Sequence, residues 1–193
     1  LVDGLQNILP AGTPSFTQAN SSNLVDAYKW TELCEATGLA LYALYSGISD
    51  RAEPCESLRA NTVFSLGLQD KSILISSSQV DEFRTGKPVK HVTHTRGVRG
   101  AYFVETRLRL TRGGAQTWSI VADVEQTQSQ VVELTLRLDD PGELEGALAC
   151  SIEGGSDELA RIIASADGFQ ATDEENVTTH HCANVMFNIL RGG

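Results

Sequence analysis

Several features that define common protein classes are missing from this sequence of 193 residues. No apolar run approaches the roughly 18 to 20 residues that a membrane-spanning helix requires, and no secretory signal peptide is recognisable. The cysteines are far apart and never form a CxxC pair, which argues against a zinc site and against a disulfide scaffold. They are Cys34, Cys55, Cys150 and Cys182. We therefore predict a cytoplasmic protein whose thiols are reduced and mostly buried.

Motifs that carry chemistry are missing as well. The sequence has no GxGxxG, no GxxxxGK and no GxSxG, the signatures of dinucleotide-binding folds, P-loop proteins and α/β-hydrolases. Paired acids are present, but nothing distinguishes them from solvated acids in a chain that has 25. Examples are Glu32 with Glu35 and Asp139 with Asp140. We predict no catalytic residue, no metal site and no cofactor in this chain.

Charge is unevenly distributed along the chain. The total of −10 argues against general nucleic-acid binding. From Arg84 to Arg112, however, eight Lys or Arg accompany one acid, Glu105, which gives this stretch +7 and leaves −17 elsewhere. The stretch is either a solvated hairpin beside an acidic neighbour or a substrate- or anion-binding site, completed by backbone amides near Gly97 and Gly100. The side chains of that site would be Lys87, Lys90, Arg96 and Arg99.

Strand patterns occupy the first two thirds of the chain. The first twenty residues are rich in turn formers. Residues 39–46 form an apolar run of strand length, and residues 23–36, which also fit a helix in part, are predicted to pair with them as a long hairpin. A charged loop over 50–56 precedes the alternating residues 58–66, which predict another strand.

The clearest alternation lies on either side of Gly113. Residues 102–110 and 117–123 predict an antiparallel hairpin around this turn, with Trp118 in the core. After Asp123 the apolar period changes from two to about 3.6, which predicts helices to the end of the chain. Strands first and helices second indicate an α+β fold, mainly β, or a β domain with a helical linker.

Three helices follow residue 138 in this scheme. Pro141 starts the first, and Gly154 with Gly155 ends it, so that a second helix begins at Ser156. The last helix, over residues 172–190, has a predicted capping box at Thr172 and a glycine stop at residues 192–193. Its apolar stripe is Cys182, Val185, Met186, Ile189 and Leu190.

Two histidine pairs have the residue types of a metal or thiol site. His180 and His181 point about 100° apart on a helix, so they cannot chelate one ion comfortably, and a partly buried His181 is the simpler interpretation. A thiol-enzyme role for Cys182 is the alternative to that interpretation. His91 and His94 are three residues apart in the basic stretch, where positive charge repels a cation.

Several stretches of the chain resemble one enzyme family. They are DGLQNILP at 3–10, the segment 23–60, RGAYFVETRLRL at 99–110, WSIVADVEQTQ at 118–128, and ANVMFNILRGG at 183–193. These stretches resemble the N-terminal β-sandwich and linker helix of cellobiose-phosphorylase-like enzymes, glycoside hydrolase family 94 and its relatives. The resemblance implies an antiparallel sandwich of the supersandwich, galactose-mutarotase-like type over residues 1–125 and a helical linker over 126–193. It also implies an (α/α)6 barrel that carries catalysis, so none of the family's catalytic residues falls on this chain.

A supporting, non-catalytic role follows from this resemblance. The parent would act on β-linked glucans by phosphorolysis or hydrolysis, and we expect this chain, which begins at Leu1 without methionine, to be a piece of it. Implied partners are the C-terminal barrel, an oligosaccharide and a second copy in a homodimer, but not nucleic acid or a membrane. Two alternatives stay open, a protein-interaction domain and a free-standing carbohydrate-binding module. The module's stacking residues would be Trp30, Tyr28, Tyr42, Tyr45 and Tyr102, although aromatic residues are only 6% of the chain.

Overall fold

The computed structural model describes residues 1–13, 15–46 and 58–191. The predicted charged loop over 50–56, with Cys55, lies outside these residues, as does the predicted glycine stop at 192–193. The chain forms two compact units, Leu1–Pro141 and Gly142–Gly193.

The described residues form eight strands and six helices. The strands are β1 Val2–Ile8, β2 Lys29–Cys34, β3 Leu39–Leu44, β4 Arg59–Leu66, β5 Lys71–Leu74, β6 His94–Arg96, β7 Gly100–Thr106 and β8 Ser119–Thr127. The helices are α1 Ser15–Asn20, α2 Ser22–Tyr28, α3 Ser77–Arg84, α4 Gln128–Arg137, α5 Pro141–Ser165 and α6 Glu175–Leu190. A three-stranded sheet has the order β1-β7-β5, and a five-stranded sheet has the order β6-β2-β3-β4-β8; both are antiparallel. The α+β prediction is confirmed, but more residues are helical (40%) than extended (28%), so the chain is not mainly β.

Both sheets contribute side chains to one core. Tyr42 and Val63 come from the five-stranded sheet, and Ile73, Tyr102 and Val104 come from the three-stranded sheet. We call the face of the five-stranded sheet that supplies this core its inner face, and the opposite face its outer face. The other face of the three-stranded sheet packs on α3, so β7 is buried on both sides.

The predicted pairing of residues 23–36 with residues 39–46 is confirmed in its strand part. β2 and β3 pair from Lys29 with Leu44 to Cys34 with Leu39, whereas the preceding residues form α2, as the partial helix pattern allowed. The first twenty residues are more regular than predicted, because they contain β1 and α1.

The predicted hairpin around Gly113 is wrong. The turn exists, with Gly113 at φ 76°, but the two strands belong to different sheets: β7 pairs with β1 and β5, and β8 pairs with β4. Alternation specifies which side chains face the core and does not specify which strand lies alongside. Trp118, predicted in the core, is half-buried at its edge and donates from Nε1 to Asp3 Oδ2 at 2.8 Å.

A β-bulge interrupts β8 at the edge of the five-stranded sheet. Thr62 is opposite Asp123 and Ala60 is opposite Gln126, so one extra residue is accommodated between them. Glu125 there has φ 56°. Its backbone N–H donates to Asn61 Oδ1 at 2.9 Å, and its carboxylate accepts from Gly12 N at 2.8 Å.

The predicted break at Gly154 and Gly155 is also wrong. α5 runs unbroken through both, and neither has a positive φ, so each costs about 1 kcal/mol relative to alanine without ending the helix. The helix ends instead where Asp167 has φ 58° and Gly168 N donates to Ile163 O at 2.8 Å, the pattern of a Schellman-like stop.

The predicted terminal helix is present, but its cap is elsewhere. α6 begins at Glu175 with Glu174 as its N-cap, and no side chain caps it. Thr172 instead hydrogen-bonds with Glu174 and Thr178. The predicted stripe is only half-buried, and its last residue, Leu190, is 74% exposed.

Candidate functional site

A groove lies on the outer face of the five-stranded sheet, between the sheet and α4, with a cavity volume of about 440 Å³. Apolar side chains from β3 and α4 supply much of its lining, and polar side chains from β2, β8 and α4 are placed among them. The apolar residues include Leu41, Ala43, Val131 and Val132, and the polar residues include Glu32, Gln126 and Gln128. Such a mixture of apolar surface and a few polar groups is typical of a small-molecule site.

Strand register explains how the groove is assembled. Trp30 is opposite Ala43 and Glu32 is opposite Leu41, and directly opposed residues of an antiparallel pair share a face. α4 begins immediately after β8, because Thr127 caps it in a capping box with Gln130. This cap fixes the first turn of the helix beside the sheet.

One end of the groove meets a cluster of aromatic and basic side chains, which we call the Trp30 cluster: Trp30, Tyr45, His94 and Arg96. The Trp30 and Tyr45 rings are tilted with centroids 6.4 Å apart. The Trp30 and His94 rings meet edge to face at 5.8 Å. The guanidinium carbon of Arg96 lies 5.7 Å from the Trp30 centroid and 5.2 Å from the Tyr45 centroid, within the range of cation–π attraction.

Cross-strand pairing places Arg96 in this cluster. Arg96 is directly opposite Trp30, and His94 is directly opposite Glu32. Arg96 Nε donates to His94 Nε2 at 3.2 Å, so that nitrogen of the imidazole acts as the acceptor. Within the described part of the chain, no carboxylate forms an ion pair with Arg96.

Trp30 itself has an unsatisfied donor. Its Nε1 is buried and has no hydrogen-bond partner among the described residues. A buried polar group without a partner costs about 1 to 3 kcal/mol, and such exceptions call for an explanation. Because Nε1 is buried, a ligand would supply an acceptor only after a rearrangement that exposes this atom.

The four residues predicted to bind a substrate or anion do not converge. Arg96 belongs to the Trp30 cluster, whereas Arg99 pairs with Asp26 at 3.3 Å. Lys87 is exposed beyond the end of α3, and the backbone of Lys90 is held by Glu82 and Gln79. The amide of Gly97 donates to Lys29 O at 3.0 Å, so it is not available for the predicted oxyanion cradle.

Asp26 is the centre of a charged network next to β2. Its Oδ1 lies 2.7 Å from Nζ of Lys29, a lysine whose side chain is only 3% exposed. Burial alone would raise the pKa of Asp26, but the hydrogen bonds and positive charges of Lys29 and Arg99 outweigh it, so the pKa lies below its ordinary value of 3.8.

Only part of the predicted aromatic set is available for stacking. Tyr42 and Tyr102 are buried in the core, where burial raises the pKa of both phenols. Tyr28 is half-buried in α2, while Tyr45 is 65% exposed. The sequence did not single out Glu32 or His94 for this site. They are found from the strand register, which places Glu32 opposite both Leu41 and His94.

The histidine and cysteine candidates form separate contacts. His91 pairs with Glu35, whereas His94 contacts Trp30 and Arg96. His181 is half-buried and its Nε2 hydrogen-bonds with Asp167 O at 2.9 Å. Cys34 and Cys182 are half-buried and Cys150 is exposed, so the prediction of mostly buried thiols is wrong for the cysteines described. No group of three or more potential ligands is placed to hold a metal ion in the described ranges.

None of the described helices is long and apolar enough to cross a membrane. No protein-family model matches the chain, and no curated protein matches it. The resemblance to cellobiose-phosphorylase-like enzymes therefore stays a prediction, and the functional argument depends on the groove and the Trp30 cluster.

Proposed function

We propose that this chain is a non-catalytic, saccharide-binding domain of a glycoside-processing enzyme, and that the outer-face groove is its binding site. The observation that carries the proposal is Trp30, whose ring lies where the groove meets Tyr45. Sugars present apolar C–H faces together with rings of hydroxyl groups. A site for them therefore combines an aromatic side chain with hydrogen-bonding groups, and Trp is suited to this because it is apolar with one polar handle.

The polar groups of the groove fit this chemistry. Glu32 supplies two acceptor oxygens, and Gln126 and Gln128 each supply a donor and an acceptor. A cavity of about 440 Å³ lies in the usual size range of ligand sites. None of these groups is arranged as a nucleophile with a base, which favours binding over catalysis.

The finer architecture is part of the same proposal. The shared core between two antiparallel sheets supports a sandwich of the supersandwich, galactose-mutarotase-like type, followed by a helical linker that leads to an (α/α)6 barrel. In that setting the groove would hold a β-linked glucan while the barrel cleaves it. The described cysteines, all free, fit a reducing compartment such as the cytoplasm.

Binding is tested with the chain and β-linked gluco-oligosaccharides from cellobiose to cellopentaose, measured by calorimetry and by tryptophan fluorescence. The chain has two tryptophans, so Trp118→Phe leaves Trp30 as the sole reporter. We expect saturable quenching or enhancement of Trp30 emission. Trp30→Ala should weaken binding at least about tenfold, since an aromatic anchor contributes more than about 1 kcal/mol.

Phe83→Ala is the matched control, because Phe83 is a partly exposed aromatic on α3 that lines a different cavity. Its affinity should equal that of the parent. If no oligosaccharide binds at millimolar concentration, or if Trp30→Ala binds as well as Phe83→Ala, the proposal is wrong.

The role in a larger enzyme is tested separately. A protein extended beyond residue 193 by a barrel would be incubated with the same oligosaccharides, with and without inorganic phosphate. Phosphate-dependent release of sugar phosphate would indicate a phosphorylase, and cleavage without phosphate would indicate a hydrolase. Absence of turnover in both conditions would contradict the enzyme assignment while leaving the binding result intact.

Protein interaction is a second candidate function, favoured by the exposed apolar residues of α6. Val177, Phe187 and Leu190 are each more than half exposed. A concentration-dependent increase in mass by light scattering, abolished by Phe187→Ser with Leu190→Ser, would support self-association through α6. A constant monomer mass would exclude the homodimer over the concentrations measured.

A further inference from the structure

We infer that Arg96 makes the groove selective for a saccharide that carries a carboxylate, such as a uronic acid. This inference rests on the proposed saccharide site and names its ligand class more narrowly. The starting observation is that Arg96 is held in place without being neutralised.

Two aromatic rings and one imidazole hold the guanidinium. The 5.7 Å and 5.2 Å distances to the rings of Trp30 and Tyr45 and the 3.2 Å bond from Nε to His94 restrict its orientation. Arginine has five N–H donors in a fixed plane, and the bond to His94 uses only the one on Nε. The N–H groups on both terminal nitrogens make no hydrogen bond in the described ranges.

Two other arginines of the basic stretch are paired with carboxylates, Arg99 with Asp26 and Arg84 with Asp81. Arg96 has no carboxylate partner in the described ranges. Arg107, Arg109 and Arg112 have none there either, but only Arg96 among these four is held against aromatic rings. The unfilled position beside Arg96 therefore has the chemistry of an anion site.

The geometry favours a carboxylate over a spherical anion. Paired terminal N–H groups of arginine match the two oxygens of a carboxylate in a bidentate arrangement. Trp30 lines the groove and also contacts the guanidinium of Arg96. A ligand with its sugar ring beside Trp30 can therefore place a ring substituent against Arg96. The surrounding stretch from Arg84 to Arg112, with its formal charge of +7, adds a favourable local potential in a chain that is otherwise acidic.

Glu32 does not cancel this preference. It is opposite His94, two residues from Arg96 along β6, and it forms no ion pair with Arg96. A carboxylate at Arg96 and a sugar hydroxyl at Glu32 would satisfy both groups along one ligand. A ligand bound in the opposite direction would place its acid beside the carboxylate of Glu32 and would be repelled. The site therefore favours one binding direction.

The test compares a matched pair of ligands, cellobiose and cellobiouronic acid, by calorimetry on the unmodified chain. We expect the acid to bind about tenfold more tightly, because hydrogen bonds to charged groups are stronger than neutral ones. The advantage should shrink as the salt concentration rises. Glucose 1-phosphate is a third ligand, included to distinguish a phosphate from a carboxylate.

Two substitutions locate the effect. Arg96→Gln should bind cellobiose and the acid with equal affinity. The ratio of the two affinities reports the charge of Arg96 and does not depend on any general weakening caused by loss of its contacts with Trp30 and Tyr45. Arg109→Gln removes the same charge from the same basic stretch at an exposed position and should retain the preference. Thermal unfolding of both variants checks that the fold is unchanged.

Each outcome has one meaning. Loss of the preference in Arg96→Gln alone supports the inference. Equal affinity for the two sugars in the unmodified chain, or a preference that persists in Arg96→Gln, overturns the inference and leaves the saccharide-binding proposal standing. An Arg96-dependent preference for glucose 1-phosphate over the uronate overturns the carboxylate assignment. Absence of binding by all three ligands overturns both proposals.

Discussion

The two faces of the five-stranded sheet use aromatic side chains in opposite ways. On the inner face, Tyr42 is 1% exposed and its hydroxyl donates to Ala101 O at 2.7 Å. Three residues later Tyr45 is 65% exposed and contacts Trp30 and Arg96. The hydroxyl of the inner-face tyrosine is hydrogen-bonded within the protein, whereas on the outer face Trp30 Nε1 and the terminal nitrogens of Arg96 make no hydrogen bond among the described residues. Tyrosines of the same sheet are therefore buried in the core on one face and exposed beside the groove on the other.

Substitution of the inner tyrosine should have the largest effect on stability. Tyr42→Ala removes a buried ring from the shared core, and we expect the free energy of unfolding to fall by about 3 to 5 kcal/mol, as for other buried aromatics. Tyr45→Ala, its outer-face counterpart, should cost less than about 1 kcal/mol. Urea denaturation followed by circular dichroism measures both. Equal destabilisation would contradict the distinction between the faces.

Removing the carboxylate that pairs with the buried Lys29 should have the next largest effect on the free energy of unfolding. Asp26→Asn leaves Lys29 without its carboxylate and should cost about 2 kcal/mol, less than for a fully buried pair because the Asp26 side chain is 19% exposed. Because the pKa of Asp26 in the folded state lies below 3.8, the unfolded chain binds the proton more tightly. The stabilisation is therefore complete above pH 3.8 and is lost as the pH falls through the lower folded pKa.

Acid titrations of the parent and of Asp26→Asn would check this sign. The difference in unfolding free energy between them should be constant near neutral pH and should shrink below pH 3.8. A difference that grows on acidification would contradict the assignment.

A smaller effect is expected for the hydroxyl of the other core tyrosine. Tyr102 Oη hydrogen-bonds with Gly38 O at 2.9 Å and with Ser65 Oγ at 3.1 Å. Tyr102→Phe keeps the ring but leaves buried partners unsatisfied, so we expect a loss of about 1 to 2 kcal/mol. Chemical denaturation would reveal it, and saccharide binding at the outer face should not change.

The smallest stability effect should appear at the helix that borders the groove. Thr127→Ala removes the cap of α4 and should cost about 1 kcal/mol. Since α4 supplies Val131 and Val132 to the groove, ligand affinity should fall as its first turn frays. Thr127→Ser, which keeps the hydroxyl, should restore both stability and affinity. Failure of serine to do so would show that the cap is not responsible.

Local pattern predicted much of the secondary structure but little of the pairing. The run 39–46 and its partner strand were recognisable because a short turn joins them. β1 was not predicted because Pro10, Gly12 and Pro14 make the first twenty residues rich in turn formers. In the sheet a Cβ at Gly4 would lie 2.1 Å from Tyr102 O, so close packing against β7 requires glycine there. That requirement depends on a strand almost a hundred residues away.

The site was predictable in its components and not in its arrangement. The sequence indicates Trp30 and Tyr45 as stacking residues and Arg96 as an anion-binding residue, in two separate hypotheses. Sixty-six residues separate Trp30 from Arg96, and only the register of β2 with β6 brings them together. Lys87 and Arg99 were predicted to bind an anion together with Arg96 and carry the positive charge that this requires. Neither of them lies in the Trp30 cluster. The composition shows which functional groups the chain contains. Pairing between strands that are distant in sequence determines which of these groups lie together.

The bulge at Glu125 has a consequence for aggregation. β8 is nine residues long and lies at the edge of its sheet, and a regular exposed edge of that length would invite a strand from another molecule to pair with it. The left-handed residue at Glu125 breaks the repeat of outward-facing amides and carbonyls, because its own N–H donates to Asn61 Oδ1 of the neighbouring strand. Strand addition needs an uninterrupted template, so we expect the bulge to make this long edge a poorer site for it.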